Sequence, residues 1–320
     1  MNRKTIPSLA SRRSLILGAS AAAAAWPIAR AFAQDAAAPG PAAGLGGPGG
    51  PGGGRPAGPP PTAEQIAAQL PLKTTGLEHV SVWVPDVQEA GVFYGKVFNP
   101  SLHKEKQPPL RYYVPLALRE PKPPLSYIAI GAANGRPVQI DHYCALVEGY
   151  NPGAMSERLK QEGVKSAARF GMYPDEDGLQ LQLLGMPGGL AASTEPAGRI
   201  SEAPPIVEPF GLENVIMQVS DLDRATAYYR KFFNGKVTRE GDRVWIDVSG
   251  TRLGLMTAPA GGKPVISSFC VRVKPFDRKD VSRKIEAIGG QIVAVQKADG
   301  DVLRFKSPMG IQVDLKGMKA

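Results

Sequence analysis

Cysteine is almost missing from this chain: Cys144 and Cys270 are the only two in 320 residues. So few thiols exclude a disulfide framework as the source of stability, even for an exported protein. Each lies in an apolar, strand-like run, so both are expected to be buried free thiols, with one bridge between domains as the other reading. Histidine is equally sparse, with three residues. There is no block of lysine and arginine interleaved with aromatics, which argues against a nucleic-acid-binding surface. The formal charge of +9 misleads here, because Arg3, Lys4, Arg12, Arg13 and Arg30 all fall before residue 34, in a stretch without acidic residues. Without those five the chain has 33 basic and 29 acidic residues, a mild excess dispersed along its length. Long apolar runs are lacking too. The alanine-rich stretch from Leu15 to Trp26 falls short of the ~20 residues a membrane-spanning helix needs.

What the N-terminus does contain is the outline of an export signal: a basic region, a short apolar run, and Ala31-Phe32-Ala33 as a small-x-small cleavage site before Gln34. The segment Ser11-Arg12-Arg13-Ser14-Leu15-Ile16-Leu17 resembles a twin-arginine signal; a general secretory signal is the alternative. The resemblance implies that residues 1–33 engage the export machinery, that the chain crosses the inner membrane already folded, and that it works in the periplasm or another extracytoplasmic space. Residues 34–62 follow as a Gly/Pro/Ala linker, a composition that cannot bury enough apolar surface to offset the entropy of ordering. Folded structure is expected to begin between Thr62 and Gly76.

The remainder repeats itself. Gly76-Leu77-Glu78-His79-Val80 returns as Gly211-Leu212-Glu213-Asn214-Val215, and at the same offset Asp86, Ala90, Tyr94, Lys96, Phe98 and Asn99 match Asp221, Ala225, Tyr229, Lys231, Phe233 and Asn234. Both copies read as an alternating strand (Val80, Val82, Val84; Val215, Met217, Val219) ending at an Asp that caps a helix. Ala90, Phe93, Tyr94, Val97 and Phe98 then recur at helical spacing, giving one apolar face to lie on a sheet. Strands are predicted at Arg111 to Leu118 and Leu125 to Ile130, and at Arg243 to Val248 and Arg252 to Met256. A second strand–helix–strand unit follows in each copy, beginning at Val138 and at Val265. The predicted fold class is therefore α+β: four βαβββ modules in two tandem domains, 63–185 and 209–317, joined by a linker at 186–208.

These residues resemble the vicinal oxygen chelate superfamily of glyoxalases, extradiol dioxygenases and bleomycin-resistance proteins. The resemblance rests on Gly76-Leu77-Glu78-His79-Val80, on Ser220-Asp221-Leu222-Asp223-Arg224-Ala225 with Tyr228-Tyr229 behind it, and on the strand endings Asp175-Glu176-Asp177-Gly178 to Leu183 and Ser307-Pro308-Met309-Gly310 to Leu315. It implies that two modules form a cupped sheet with one divalent transition metal (Fe, Zn, Mn or Ni) in the cup. Carried over by position, the metal ligands fall on His79, His142 and Gln182 in the first domain. In the second they fall on Asn214, Ser268 and Asp314, a degenerate set, since amide and hydroxyl oxygens bind such ions poorly. Gln182 departs from the pattern, because many members use glutamate there.

Three protein ligands would leave open positions where a small substrate chelates through two adjacent oxygens, the logic common to lyase, isomerase and dioxygenase members. Glu78 and Asp141 each neighbour a ligand on a strand, so alternation predicts that they point to the opposite face. His103, Tyr112, Tyr113 and Tyr173 remain as candidates for a base or for the substrate cup. Two functions stay open: a metal-dependent glyoxalase-like lyase or isomerase or extradiol-type dioxygenase, and a non-catalytic protein that sequesters a small molecule, in which His79 and His142 merely line the cup.

Overall fold

The computed structural model describes residues 60–116, 126–164, 171–186, 188, 190, 193–295 and 301–318. The expected export signal and residues 34–59 of the expected linker lie outside the described residues. The described residues open with helix α1 (Ala63–Ala67), started by a capping box in which Thr62 and Gln65 satisfy each other's backbone N–H groups.

The first module is β1 (Thr74–Val84), α2 (Val87–Val97), β2 (Ser101–Glu105), β3 (Tyr112–Pro115) and β4 (Tyr127–Ala132); the second is β5 (Gln139–Val147), α3 (Pro152–Gln161), β6 (Met172–Pro174) and β7 (Gln180–Gly185). Strand β8 (Thr194–Arg199) arises within the connecting segment and pairs with β2. The third module is β9 (Pro209–Val219), α4 (Leu222–Phe232), β10 (Val237–Glu240), β11 (Arg243–Val248) and β12 (Thr251–Thr257). The fourth is β13 (Val265–Val273), α5 (Arg278–Ala287), β14 (Gln291–Val293), β15 (Leu303–Lys306) and β16 (Gln312–Gly317). This is the α+β class that the patterning predicts.

Each of the longer helices begins where a short polar side chain closes the first turn. Asp86 accepts from the backbone N–H groups of Gln88 and Glu89, Asn151 from Gly153 and Ala154, Asp221 from Arg224, and Asp277 from Asp280. The apolar face of α2 then packs on the sheet so closely that a side chain at Gly91 would strike the ring of Tyr112.

In the first half β1 lies between β4, parallel, and β5, antiparallel, while β7 runs parallel to β5. The second half has the same arrangement: β9 between β12 and β13, with β16 beside β13. A bridge between Ile140 and Ile266 joins β5 to β13, so the strands form one continuous sheet. The halves also interlock through their helices. Phe93 of α2 packs 6.1 Å from Phe305 of β15, and from α4 Tyr228 and Tyr229 donate to Pro174 O (3.0 Å) and Asp175 Oδ2 (2.8 Å). At the seam the Thr251 hydroxyl donates to Val248 O (2.7 Å) and accepts from the Leu77 N–H (3.0 Å). Val80, Val82, Val84, Val215, Met217 and Val219 all belong to one continuous buried core on the helix side, which leaves the alternate positions to the helix-free face.

Gly235, just after α4, lies against the backbone of β11: a Cβ there would fall 2.0 Å from Asp247 O. Gly235→Ala should therefore cost about 1–3 kcal/mol in chemical denaturation through overpacking. Gly153→Ala, in the first turn of α3 with no contact shorter than 3.4 Å, should be neutral or slightly stabilising.

Candidate metal centre

The pairing of β1 with β5 shifts register three times, and two of the shifts flank the histidines. Between Leu77↔Ala145 and His79↔Cys144, β1 spends two residues against one, and between Ser81↔His142 and Val82↔Ile140 it is β5 that does so. The extra residues are Glu78 and Asp141. A β-bulge breaks strict alternation and re-aims a side chain. This overturns the expectation that the two carboxylates point away from their neighbours: Glu78 Oε2 lies 2.9 Å from His79 Nδ1, and Asp141 Oδ2 lies 2.7 Å from His142 Nδ1. Glu78 is fully buried, and the chain covers it with Gly188, where any side chain would meet Glu78 and Leu146.

With each Nδ1 held by a carboxylate, the far nitrogens converge: His79 Nε2 and His142 Nε2 are 3.4 Å apart, on rings set at 78° to each other. A neutral imidazole that donates through Nδ1 carries a lone pair on Nε2. Two lone pairs cannot hydrogen-bond to each other, so a shared cation, a proton or a metal ion, is what satisfies both. Burial holds the His142 pKa below its ordinary value, outweighing the Asp141 bond that raises it, which disfavours the proton. Two nitrogens at 2.0–2.1 Å from one ion in near-tetrahedral geometry would stand about 3.4 Å apart. The residues present thus fit a metal ion. Carboxylates behind the ligating imidazoles are the usual outer support of such centres, fixing tautomer and ring orientation.

Gln182 is buried on the same face, in a row that runs from His79 across Cys144 on β5 to Gln182 on β7. Glu78, His79 and Cys144 also offer donor atoms within 4.8 Å of one another, all buried. Burial, and then the Glu78 carboxylate, push the Cys144 thiol well above its ordinary pKa, so it is held protonated. Both cysteines are free and buried.

Around the imidazoles, Tyr127 stacks on His79 with centroids 4.5 Å apart, and Tyr113 meets Tyr127 edge-on at 5.7 Å. The Tyr113 hydroxyl donates to Glu105, and burial together with that carboxylate raises its pKa, so it remains a donor. Arg111 lies close enough to Tyr113 and His142 for its charge to act on both. Its Nε is 3.9 Å from where a Gly131 side chain would begin. Arg136 sits over the ring of Trp83 at 3.3 Å. His103 pairs with Tyr113 across β2 and β3 and shares its face, farther out. Tyr173 belongs elsewhere: it pairs with Leu181, not with the glutamine positions, and lies in the core, its hydroxyl 2.9 Å from that of Tyr150. Tyr112 likewise turns toward α2.

The second half shows the same two bulges, at Glu213 and Ser267, and the same rows: Asn214 opposite Cys270 beside Asp314, and Ser268 opposite Ile216. The chemistry differs. Arg252 takes the place beside Asn214 that Tyr127 takes beside His79, and Trp245, not a tyrosine, donates to a glutamate, with Nε1 2.9 Å from Glu240. Asp314 is held by Arg304 at 2.7 and 2.8 Å, and Glu213 receives Arg272 and Lys316.

By sequence the chain matches no protein-family model and no curated protein. Solved structures do match. A catechol 2,3-dioxygenase superposes with a TM-score of 0.56 at 15% identity, over 78% of this chain and 90% of its own. For the Mn(II)-bound glyoxalase from Novosphingobium aromaticivorans the values are 0.55, 12%, 76% and 82%. The 2,3-dioxygenase LapB from Pseudomonas sp. KL28 gives 0.54, 12%, 78% and 94%. The chain has the fold that these glyoxalase and dioxygenase structures share. At these identities the likeness is one of architecture, so what the site does must be argued from its own residues.

Glu213 provides a check on the second half. Burial pushes its pKa up, but the bonds from Lys316 and Arg272 and their charges pull it further down, to a net lowering. A lowered carboxylate stabilises the fold above its unfolded pKa and loses that contribution as pH falls through the folded one. Glu213→Gln should therefore destabilise by about 1–3 kcal/mol at pH 7, and the gap from wild type should close in melts taken below about pH 4.

Proposed function

We propose that this protein is an exported metal-dependent enzyme acting on a small substrate with two adjacent oxygens, and that His79 and His142 hold the ion with Gln182 as third ligand. The observation that carries this reading is the pair of carboxylate-anchored imidazoles whose Nε2 atoms face each other at 3.4 Å. When bound, a divalent ion supplies Lewis acidity, stabilising negative charge that develops on a chelated oxygen.

The chain's own residues supply the rest. Glu78 and Asp141 keep the protons of both imidazoles on Nδ1, leaving Nε2 free to ligate. Tyr127 fixes the plane of His79 by stacking. Tyr113 presents a hydroxyl that stays protonated, and Arg111 places positive charge on the same face, so both suit the oxygens of an anionic or enolate-like substrate. Burial of the imidazoles keeps bulk water from competing at the centre. Lyase or isomerase chemistry and extradiol-type ring cleavage both fit this arrangement. The second half is the structural partner of the first, a duplicated copy without imidazole ligands. Sequestration without turnover is the competing reading, favoured by the neutral amide at position 182.

Metal analysis of the purified protein decides the first point. The wild type should carry about one equivalent of Fe, Zn, Mn or Ni per chain, and the His79→Ala/His142→Ala double variant none. Glu78→Gln should keep the ion but bind it about 10–100-fold more weakly. A wild type that is metal-free and cannot be reconstituted defeats the enzyme reading and leaves sequestration. For export, cell fractionation should recover a periplasmic chain beginning at Gln34; a cytoplasmic chain that retains Arg12 and Arg13 would refute it.

A further inference from the structure

The second half contains a cavity of about 480 Å³, open mouth included, over the position where the first half has its imidazoles. Its lining carries Arg243, Arg252 and Lys316 against Glu240, Asp301 and Asp314. Formal balance is deceptive, because two of those acids are already neutralised from outside the lining. Arg304 holds Asp314 with two parallel bonds and Arg278 holds Asp301. Behind the wall Glu213 is shared by Arg272 and Lys316. With Arg243 set aside, the ion pairs among the described residues bring five cations, Arg252, Arg272, Arg278, Arg304 and Lys316, to four acids, Glu213, Glu240, Asp301 and Asp314, an excess of about one positive charge. Arg252 is the loosest of them: it meets Glu213 only at 3.5 Å and Glu240 at 4.0 Å.

A second observation points to a ligand. Asn214 is 6% exposed and lines the cavity, yet its Oδ1 has no hydrogen-bond partner among the described residues. A buried acceptor left unpaired is destabilising, and a ligand hydroxyl would satisfy it. The ligand needs an anionic end for Arg252 and a donor for Asn214. It is not aromatic: Trp245 is buried, with Arg252 4.2 Å and Arg243 5.2 Å from its ring and Gly254 beneath it, so no ring face is open for stacking. Ile216 and Val302 give the apolar wall a short carbon chain requires.

We propose that the second half is a metal-free binding site for a small aliphatic hydroxycarboxylate, with the carboxylate on Arg252 and the hydroxyl donating to Asn214. Guanidinium charge stands here where the first half gathers imidazoles. The site shares no residue with the first centre, so its test is independent of whether that centre holds metal.

Calorimetric titration of the full chain with malate, and with succinate as the analogue lacking the hydroxyl, tests the assignment. Malate should bind wild type and the His79→Ala/His142→Ala variant with equal, submillimolar affinity. Succinate should bind about tenfold more weakly, and Arg252→Gln should weaken malate about tenfold or more. The isosteric Asn214→Asp adds a negative charge without changing shape and should abolish binding, while Arg252→Lys retains part of it. Unchanged near-UV dichroism shows that each variant is folded. No heat with malate at millimolar concentration, loss of binding in the double histidine variant, or equal affinity for malate and succinate would each overturn the proposal.

Discussion

A hydrogen bond between a carboxylate and an imidazole on the same strand is geometrically awkward, because neighbouring side chains on a regular strand leave in opposite directions. The first site depends on making that contact twice. Each time an extra residue in the ladder turns Glu78 or Asp141 onto the side of its histidine. The convergence of the two Nε2 atoms and the preference for a cation between them follow from those two irregularities. The second half keeps the irregularities and changes the side chains, so the same backbone device serves imidazole in one cup and guanidinium in the other.

The backbone explains why such different contents are compatible with one architecture. The helix side is a single apolar core to which both halves contribute, and its requirements are met by alternate residues of β1, β5, β9 and β13. Residues on the helix-free face do not enter that core. They are free to vary as long as each buried charge finds a partner, as Asp314 finds Arg304 and Glu213 finds Lys316 and Arg272.

Much of this was legible in the sequence. Alternation at Val80, Val82 and Val84, Asp at the helix starts, and the recurrence of Gly-Leu-Glu-x-Val place the long elements within a few residues. The family resemblance names His79, His142 and Gln182 together, and the strand register places them on one face. Strands β2, β8 and β10 carry no alternating apolar pattern and are not legible: β8 and β10 are short edge strands with few or no buried side chains, and β2, paired between β3 and β8, buries only Leu102. Nor are the bulges: one residue more in a ladder leaves no trace in composition, so alternation alone puts Glu78 and Asp141 on the wrong face. Tyr173 was misplaced for want of the pairing partner, Leu181, that turns it into the core. Arg111 carried no signal of its own, since a lone arginine beside a strand is ordinarily a surface residue.

One hydroxyl ties the halves together more closely than the sheet alone. Inserting Glu78 pulls the neighbouring backbone of β1 out of step with β5, and the Leu77 N–H is taken up by Thr251 of the other half. The residue after Thr251 is Arg252, and the residue after Leu77 begins the carboxylate–imidazole pair. Cut away from its companion, the first half would exchange that fixed hydroxyl for water, and the irregularity that builds the site would lose a support that the other half holds in place.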